Sequence, residues 1–533
     1  MLRQFYLVSI ITLVVIAGVG YFWRPFWWLY AVTMPVFLLG VYDSLQRKHT
    51  IMRNYPLLGR GRFLMEKLRP KIYQYFVESD IDGRPFDRKY RSIAYSRAKK
   101  ENDTNPFGTQ RDVYKVGYEW INHSLTAYPY DELDKDPRVL IGEGTCSKPY
   151  SASIFNISAM SFGSLSKNAI RALNGGAKIG GFYHNTGEGG LSHHHLHFGG
   201  DIVWQIGTAY FGCRDEKGNF SEEHFKEKAQ HECVKMIEVK LSQGAKPSHG
   251  GILPAIKNTP EIAAIRHIKP HETVLSPPTH SEFSTPIEMM HYIARLRDIS
   301  GGKPVGFKIC IGRWSEFFAI CKAMVKTEIT PDFVTVDGGE GGTGAAPLEF
   351  SDSVGNPMVD SVAFAYDALN GFGLKDKVKL IASGKIITGF HILRALALGA
   401  DLCNSARGMM FALGCIQALE CNMNTCPTGV TTQDPALIRG LVVNDKKYRV
   451  ANFHSETIEG FLELFAATGL KDHSQIHRDL VYKRVSMEKI MRYDELYPPV
   501  LADSLKDKIP PEKYRIHLEE SNENSFTPGY KSL

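Results

Sequence analysis

VGFKIC at 305–310, WSEFFAICKAMVK at 314–326 and FVTVDGGEGGTG at 333–344 read as strand, helix and strand. The outer runs are short and rich in β-branched and aromatic residues, whereas the middle run places its apolar side chains at helical spacing. Two parallel strands need a crossover of about this length, so the stretch is one βαβ unit that opens into a glycine-rich loop. The pattern repeats in both directions. Strands are predicted near 154–159, 179–183, 236–241, 274–276, 305–310, 333–336, 378–382 and 401–404. Helices are predicted at 166–174, 222–233, 260–268, 286–299, 314–326, 359–369 and 390–398. Thr259-Pro260 and Thr285-Pro286 are good helix starts, with proline at the first helical position. Eight strands with helices between them over about 250 residues match an α/β fold of the (β/α)8 TIM-barrel kind, with a doubly wound open sheet as the alternative.

Chemistry-bearing residues cluster just after the predicted strands, where barrel active sites form. In order these are Ala159-Met160-Ser161, then 185–190 with Glu188, then Gln243-Gly244-Ala245-Lys246, then 276–280 with His280. Next come Lys308, the run 337–344, Gly384-Lys385 and Ser405-Ala406-Arg407. Glycine lets backbone N–H groups close on an anion, and the loops after the seventh and eighth strands are the usual phosphate seat of a barrel. Gly384, Ala406 and Arg407, with Gly342-Thr343-Gly344 nearby, therefore suggest a phosphate-bearing cofactor or substrate, although any one loop could be a simple tight turn. Lys308 ends an interior strand, and a buried ammonium needs an anionic partner. The N1–C2=O edge of a reduced flavin would serve.

Cys415, Cys421 and Cys426 form C-x5-C-x4-C. Three thiolates at short spacing suit an iron–sulfur cluster, zinc fits less well, and buried helical thiols are the plain alternative. The run His193-His194-His195-Leu196-His197 invites a metal, but consecutive side chains point apart, so a polar loop is the default. His249 and His280 could contact substrate, with a structural role the more common outcome.

The composition excludes wholesale disorder: 533 residues are 43% hydrophobic and 23% charged. Nine cysteines are too few for a disulfide scaffold. Residues 46–72 hold eight basic side chains against Glu66 alone, which leaves the rest of the chain near neutrality and argues against a nucleic-acid partner. The basic block follows two uncharged stretches, 5–23 and 25–42, each long enough to span a bilayer. Trp23, Phe26, Trp27 and Trp28 between them fit an interfacial aromatic belt, and the Lys/Arg excess places both ends in the cytoplasm. The expectation is a transmembrane hairpin (1–45), a basic juxtamembrane and N-terminal extension (46–134), a barrel with the cysteine cluster (135–470) and a C-terminal extension (471–533). The lipid bilayer is the expected partner of the hairpin, in a multi-pass protein of the cytoplasmic membrane whose catalytic body is cytoplasmic.

Seven strings in order resemble the FMN-binding synthase domain of bacterial glutamate synthase. They are 158–164 (SAMSFGS), 185–190 (NTGEGG), 243–247 (QGAKP), 276–278 (SPP), 341–345 (GGTGA), 413–415 (LGC) and 424–430 (NTCPTGV). More narrowly, the chain resembles the stand-alone, membrane-anchored members called FMN-binding glutamate synthase family proteins. The resemblance implies an FMN barrel in which Ala159, Met160, Ser161 and Gln205 lie near the flavin. The 384–385 and 405–407 loops would hold its phosphate, and Cys415, Cys421 and Cys426 a three-iron, four-sulfur (3Fe-4S) cluster. Lys246 and Arg266 match residues for the carboxylates of 2-oxoglutarate, and Glu188 matches the acidic residue near the reacting carbon. The implied reaction is reductive amination of 2-oxoglutarate, or a related 2-oxo acid, to the amino acid. Ammonia or glutamine-derived amide nitrogen would come from another chain, electrons from an unidentified donor, and a homo-oligomer is possible. Ile252 stands where complete enzymes carry Gln, and Tyr210 where they carry Arg. A synthase or dehydrogenase for another (N-substituted) amino acid, or a non-catalytic flavin and iron–sulfur relay subunit, therefore stays open.

Overall fold

A computed structural model of the chain describes all residues except 102, 103, 105, 507–509 and 530–533. It divides into two compact units, Met1–Arg88 and Lys89–Leu533.

In the first unit, helices Leu2–Phe22 and Tyr30–Leu45 are joined by a 3-10 turn, Arg24–Leu29. Trp27 Nε1 donates to Gly20 O at 2.7 Å and Tyr30 OH to Leu13 O at 2.6 Å, which folds the pair into a hairpin. Pro35 lies inside the second helix. Leu2–Phe22 and, with the turn included, Arg24–Leu45 are long and apolar enough to cross a membrane, and their apolar side chains remain largely exposed. Asp43 is buried and is held by Arg60 at 2.6 Å, so one member of the basic block has a structural partner.

In the second unit eight parallel strands close a barrel in simple chain order. They are β1 (Phe155–Ile157), β2 (His184–Asn185), β3 (Ile202–Ile206), β4 (Val234–Lys240), β5 (Val305–Ile309), β6 (Phe333–Asp337), β7 (Lys379–Ser383) and β8 (Leu402–Ser405). This is a TIM barrel, as the alternation of elements predicts, and the open sheet is excluded.

Two strand assignments change. Of the segment predicted at 179–183, Ile179 and Gly180 end helix Lys167–Gly180, Gly181 stops it in the left-handed conformation at φ 68°, and 182–183 only lead into a strand. The true β2 follows it. The segment at 274–276 leaves the barrel altogether: Val274–Leu275 pairs antiparallel with Ile252–Leu253. Its place is taken by Ile202–Ile206, buried throughout, whose apolar run IVWQI has the unbroken character of a two-sided parallel strand. The loop carrying Lys246 therefore follows the fourth strand, not the third.

Residues 89–134, grouped by sequence with the basic segment, belong to this second unit. Glu119 on strand Glu119–Ile121 pairs with Arg394 Nη1 at 2.6 Å. The tail is also fixed. Val481–Arg484 pairs with Glu119–Ile121, and buried Asp367 gathers Arg478 Nη2 (2.8 Å), Tyr514 OH (2.7 Å) and Lys513 Nζ (3.2 Å).

Candidate active site

The carboxyl ends of the strands carry the site. β2 runs into Glu188, β4 ends at Lys240, and Lys246 and Arg266 come from the long excursion between β4 and β5. Lys240 Nζ meets Glu188 Oε1 at 2.6 Å. The carboxylate is wedged between two backbones: a Cβ at Gly207 would lie 2.5 Å from Glu188 Oε2, and one at Gly251 2.8 Å from Oε1. Burial works to raise the Glu188 carboxyl, but the charges of Lys240, Lys246 and Arg266 and the hydrogen bond from Lys240 hold it below the ordinary range. Glu188 is thus an anion at neutral pH.

Lys246 is buried, and its Nζ reaches only Gly250 O, at 3.3 Å, among the described residues. Burial and then the Lys240 charge push its ammonium down to about 8, against the pull of Glu188. Arg266 is buried under the Phe211 ring, with Cζ 5.0 Å from the ring centroid. Its Nη2 donates to Phe162 O at 3.0 Å, its Nε has no hydrogen-bond partner among the described residues, and burial lowers it to about 10. The three residues singled out in the sequence are therefore within one electrostatic field. Lys240 was missed, although the argument that picked Lys308, an ammonium at the end of an interior strand, applies to it equally.

Around this group several side chains are structural. Tyr210 OH meets His280 Nδ1 and accepts from Ser281 N (both 3.1 Å) and Glu282 N (3.3 Å), while His280 Nε2 meets Lys240 O at 2.9 Å. Both nitrogens of His280 are occupied in bracing the Lys240 strand end. Burial holds its imidazole at about 4, hence neutral. His249 Nδ1 lies 3.0 Å from Gly250 O.

The barrel interior holds a carboxylate that the sequence reading passed over. Glu238 accepts from Gln205 Nε2 (2.7 Å), Asn185 Nδ2 (2.8 Å) and Thr335 Oγ1 (2.6 Å). Gln205 therefore has its amide on Glu238. Lys308 likewise has its anion within the protein, Asp337 Oδ2 at 3.2 Å, so its charge does not call for a flavin edge. Asp337 also takes Ser383 Oγ (2.8 Å) and Gly244 N (2.9 Å), which ties the loops after β4, β6 and β7 together.

Ala159, Met160 and Ser161 follow β1, with Met160 buried and the other two half-buried. Gly384 and half-buried Lys385 follow β7, and half-buried Ala406 and Arg407 follow β8. Arg407 Nη2 donates to Glu340 O at 2.9 Å, and a Cβ on Gly342 would lie 3.0 Å from Arg407 Nη1, so the 341–344 loop adjoins that seat. Ser405 Oγ donates to Ile386 O at 2.6 Å, so its hydroxyl proton is already engaged. Two cations beside glycine backbone suit a phosphate monoester.

The three cysteines lie in an irregular loop after helix Arg407–Leu413, not in a helix. Gln417, Leu419 and Asn424 there adopt positive φ. Burial raises the Cys415 thiol to about 12, and the neighbouring Cys421 and Cys426 add to the rise. Burial also works to raise Cys426, yet hydrogen bonds from Thr428 and Thr431 bring it below the ordinary thiol range. Gly344 comes close to this loop, where a Cβ on it would lie 3.7 Å from Cys421 Cβ. Three mutually interacting thiols with hydroxyl donors fit an anionic cluster.

The histidine run behaves differently from expectation. His193 and His194 do not point apart, since their Nε2 atoms reach Glu261 Oε1 at 3.2 and 2.8 Å. His194 Nδ1 accepts from Arg171 Nε at 3.1 Å, so its Nε2 carries the proton that Glu261 accepts.

Comparison with known proteins agrees with this geometry. Residues 122–471 match the model of the conserved region in glutamate synthase. The glutamate synthase large subunit-like protein YerD of Bacillus subtilis (strain 168) is 38% identical over 507 residues, covering 87% of this chain and 96% of that one. The archaeal glutamate synthase (NADPH) of Methanocaldococcus jannaschii is 33% identical over 318 residues, and the match covers 59% of this chain and 58% of that relative. Among solved structures, the flavin-binding domain of baker's yeast flavocytochrome b2 aligns over 81% of this chain and 87% of that one, with a TM-score of 0.41 and 12% identity. A family region spanning more than half of the chain, and a relative matched over nearly its whole length, lead to one conclusion: the chain belongs to the glutamate synthase family, whose glutamate synthases are oxidoreductases acting on CH–NH2 donors.

Proposed function

We propose that the protein is an FMN- and 3Fe-4S-dependent oxidoreductase that reductively aminates 2-oxoglutarate or a related 2-oxo acid. The observation that carries this reading is the convergence of Lys246 and Arg266 on the Glu188–Lys240 pair at the mouth of the barrel. FMN would be held by the loops at 159–161, 342–344, 384–385 and 405–407, and the cluster by Cys415, Cys421 and Cys426. When bound, FMN supplies hydride transfer and the cluster one-electron exchange.

The chain's own residues do the rest. Arg266, whose Nε has no partner among the described residues, and Lys246 bind carboxylate oxygens and fix the 2-oxo acid. Glu188, kept ionised by Lys240, accepts a hydrogen bond from ammonia and holds its nitrogen beside the keto carbon. Condensation of ammonia with the keto group releases water, and Lys246, with a pKa of about 8, can supply the proton that the leaving oxygen takes. Two electrons and two protons then convert the imine to the amine. Ammonia comes from another chain and electrons from a separate donor. The hairpin anchors the protein in the cytoplasmic membrane, with the barrel on the cytoplasmic side.

Ile252 favours a second reading in which the 2-oxo acid is not 2-oxoglutarate. It is half-buried on the excursion between Lys246 and Arg266 and offers no hydrogen bond. Both readings are tested by photoreducing the anaerobically purified protein and mixing it with ammonium and a panel of 2-oxo acids. Flavin reoxidation with 2-oxoglutarate is the expected result. Reoxidation only with another acid selects the second reading, and a colourless protein removes both.

A further inference from the structure

Lys257 lies in the short turn Ala255–Lys257, between the two cations of the active site, yet its side chain points elsewhere. It is only 3% exposed. Its Nζ donates to Cys421 O and Thr431 O, both at 2.7 Å, and to Ser164 O at 3.4 Å. Every one of these acceptors is a main-chain carbonyl. Among the described residues no carboxylate pairs with it, and the acidic groups acting on it are the thiols of Cys421 and Cys426. An ammonium taken out of water with only neutral acceptors is a costly arrangement unless negative charge lies close by.

The three acceptors belong to three useful places. Cys421 is one of the candidate cluster residues. Thr431 lies beside Cys426 and helps to lower its thiol. Ser164 ends the loop after β1, whose Ser161 Oγ meets Ser164 Oγ at 3.2 Å. The same two segments are laced together by Gln433 Nε2, which donates to Gly163 O (3.1 Å) and Leu165 O (2.9 Å), and by Ser166 Oγ on Gly429 O (2.7 Å). Among the described residues Lys257 is therefore the one charged group in a junction of otherwise neutral hydrogen bonds between the cysteine loop and the loop after β1.

We propose that Lys257 is the built-in countercharge of the cysteine loop, a positioning residue whose fixed positive charge favours the reduced cluster and so raises its reduction potential. This rests on the cluster reading given above. Each thiolate adds negative charge to the loop, and one-electron reduction adds one more. A buried cation touching the peptide of one ligand residue stabilises the more negative state more strongly than the less negative one. A structural pin would need only hydrogen bonds, whereas this role needs the charge.

The test uses the full-length protein, purified anaerobically in detergent, with iron and sulfide assayed. EPR-monitored redox titration with dithionite and mediators is then run on wild type, Lys257→Met and Lys257→Arg. Met keeps the length of the side chain without charge or donors, and Arg restores both. The expected result is a more negative cluster midpoint in Lys257→Met, a midpoint close to wild type in Lys257→Arg, and unchanged FMN content in both. If Lys257→Met fails to hold the cluster while Lys257→Arg holds it at the wild-type midpoint, a pin made by hydrogen bonds alone accounts for the residue and the proposal is overturned. An unshifted midpoint in Lys257→Met overturns the proposal, as does an Arg variant displaced as far as Met or loss of the cluster in both. Wild type without iron or an EPR signal brings down the cluster reading itself, an outcome distinct from a cluster that is present but indifferent to Lys257.

Discussion

At the scale of single residues the site is governed by what burial does to charge. Lys246 is held at about 8, and a carboxylate ligand needs its protonated form. The KM for the 2-oxo acid should therefore be flat below pH 8 and rise above it. Lys246→Met should raise KM by about 10–100-fold, the loss of one charge-assisted hydrogen bond, and abolish that limb of the pH profile. An unchanged profile in steady-state kinetics would remove Lys246 from the substrate site. Lys240 has a different task. Removing it strands Glu188 in a buried position, so Lys240→Met should cost about 3–5 kcal/mol in denaturant unfolding, and much of that should return in Lys240→Met with Glu188→Gln. The sign of the pH effect follows from the lowered Glu188 carboxyl. Its stabilising contribution is present above the ordinary carboxylate range and is lost as pH falls through the lowered value.

At the scale of elements the barrel strands are short, and side chains between loops hold their ends in place. Tyr210 supports the segment after Val274–Leu275 through His280, Ser281 and Glu282. Tyr210→Phe should lower unfolding stability by about 1–3 kcal/mol, because buried donors lose their acceptor. The pH limb of KM should persist, since Lys246 is untouched. A variant with native stability would show that the phenol is dispensable to the fold.

At the scale of the whole molecule the two compact units predict separable behaviour. A chain starting at Lys89 should leave the membrane fraction on cell fractionation and melt, by circular dichroism, close to the full-length protein. Retention in the membrane pellet would show that the hairpin is not the anchor. The tail should act as a clamp on the barrel: Asp367→Asn leaves Arg478 buried without its anion and should cost about 3–5 kcal/mol. Loss of barrel stability in that variant distinguishes a structural tail from a dangling extension.

Local patterning was enough to specify the alternation of elements, because apolar periodicity and proline or glycine at helix ends act within a few residues. Helix Pro286–Ile299 begins and ends where the sequence places it, with Thr285 capping through Glu288. Glu188 and Lys246 were legible within motif strings and the three cysteines by their spacing, whereas Arg266 came only through the family resemblance. The identity of the third strand was not, because Ile202–Ile206 and Val274–Leu275 are both short apolar runs and only closure of the barrel chooses between them. Nor were the partners of buried charges legible. Lys308 on Asp337, Gln205 on Glu238, Lys240 on Glu188 and Lys257 on the cysteine loop are contacts across tens of residues, fixed by which strand ends the closed sheet brings together. Sequence determined which groups this protein possesses, and the tertiary structure alone decided which opposite charges neutralise one another in its interior.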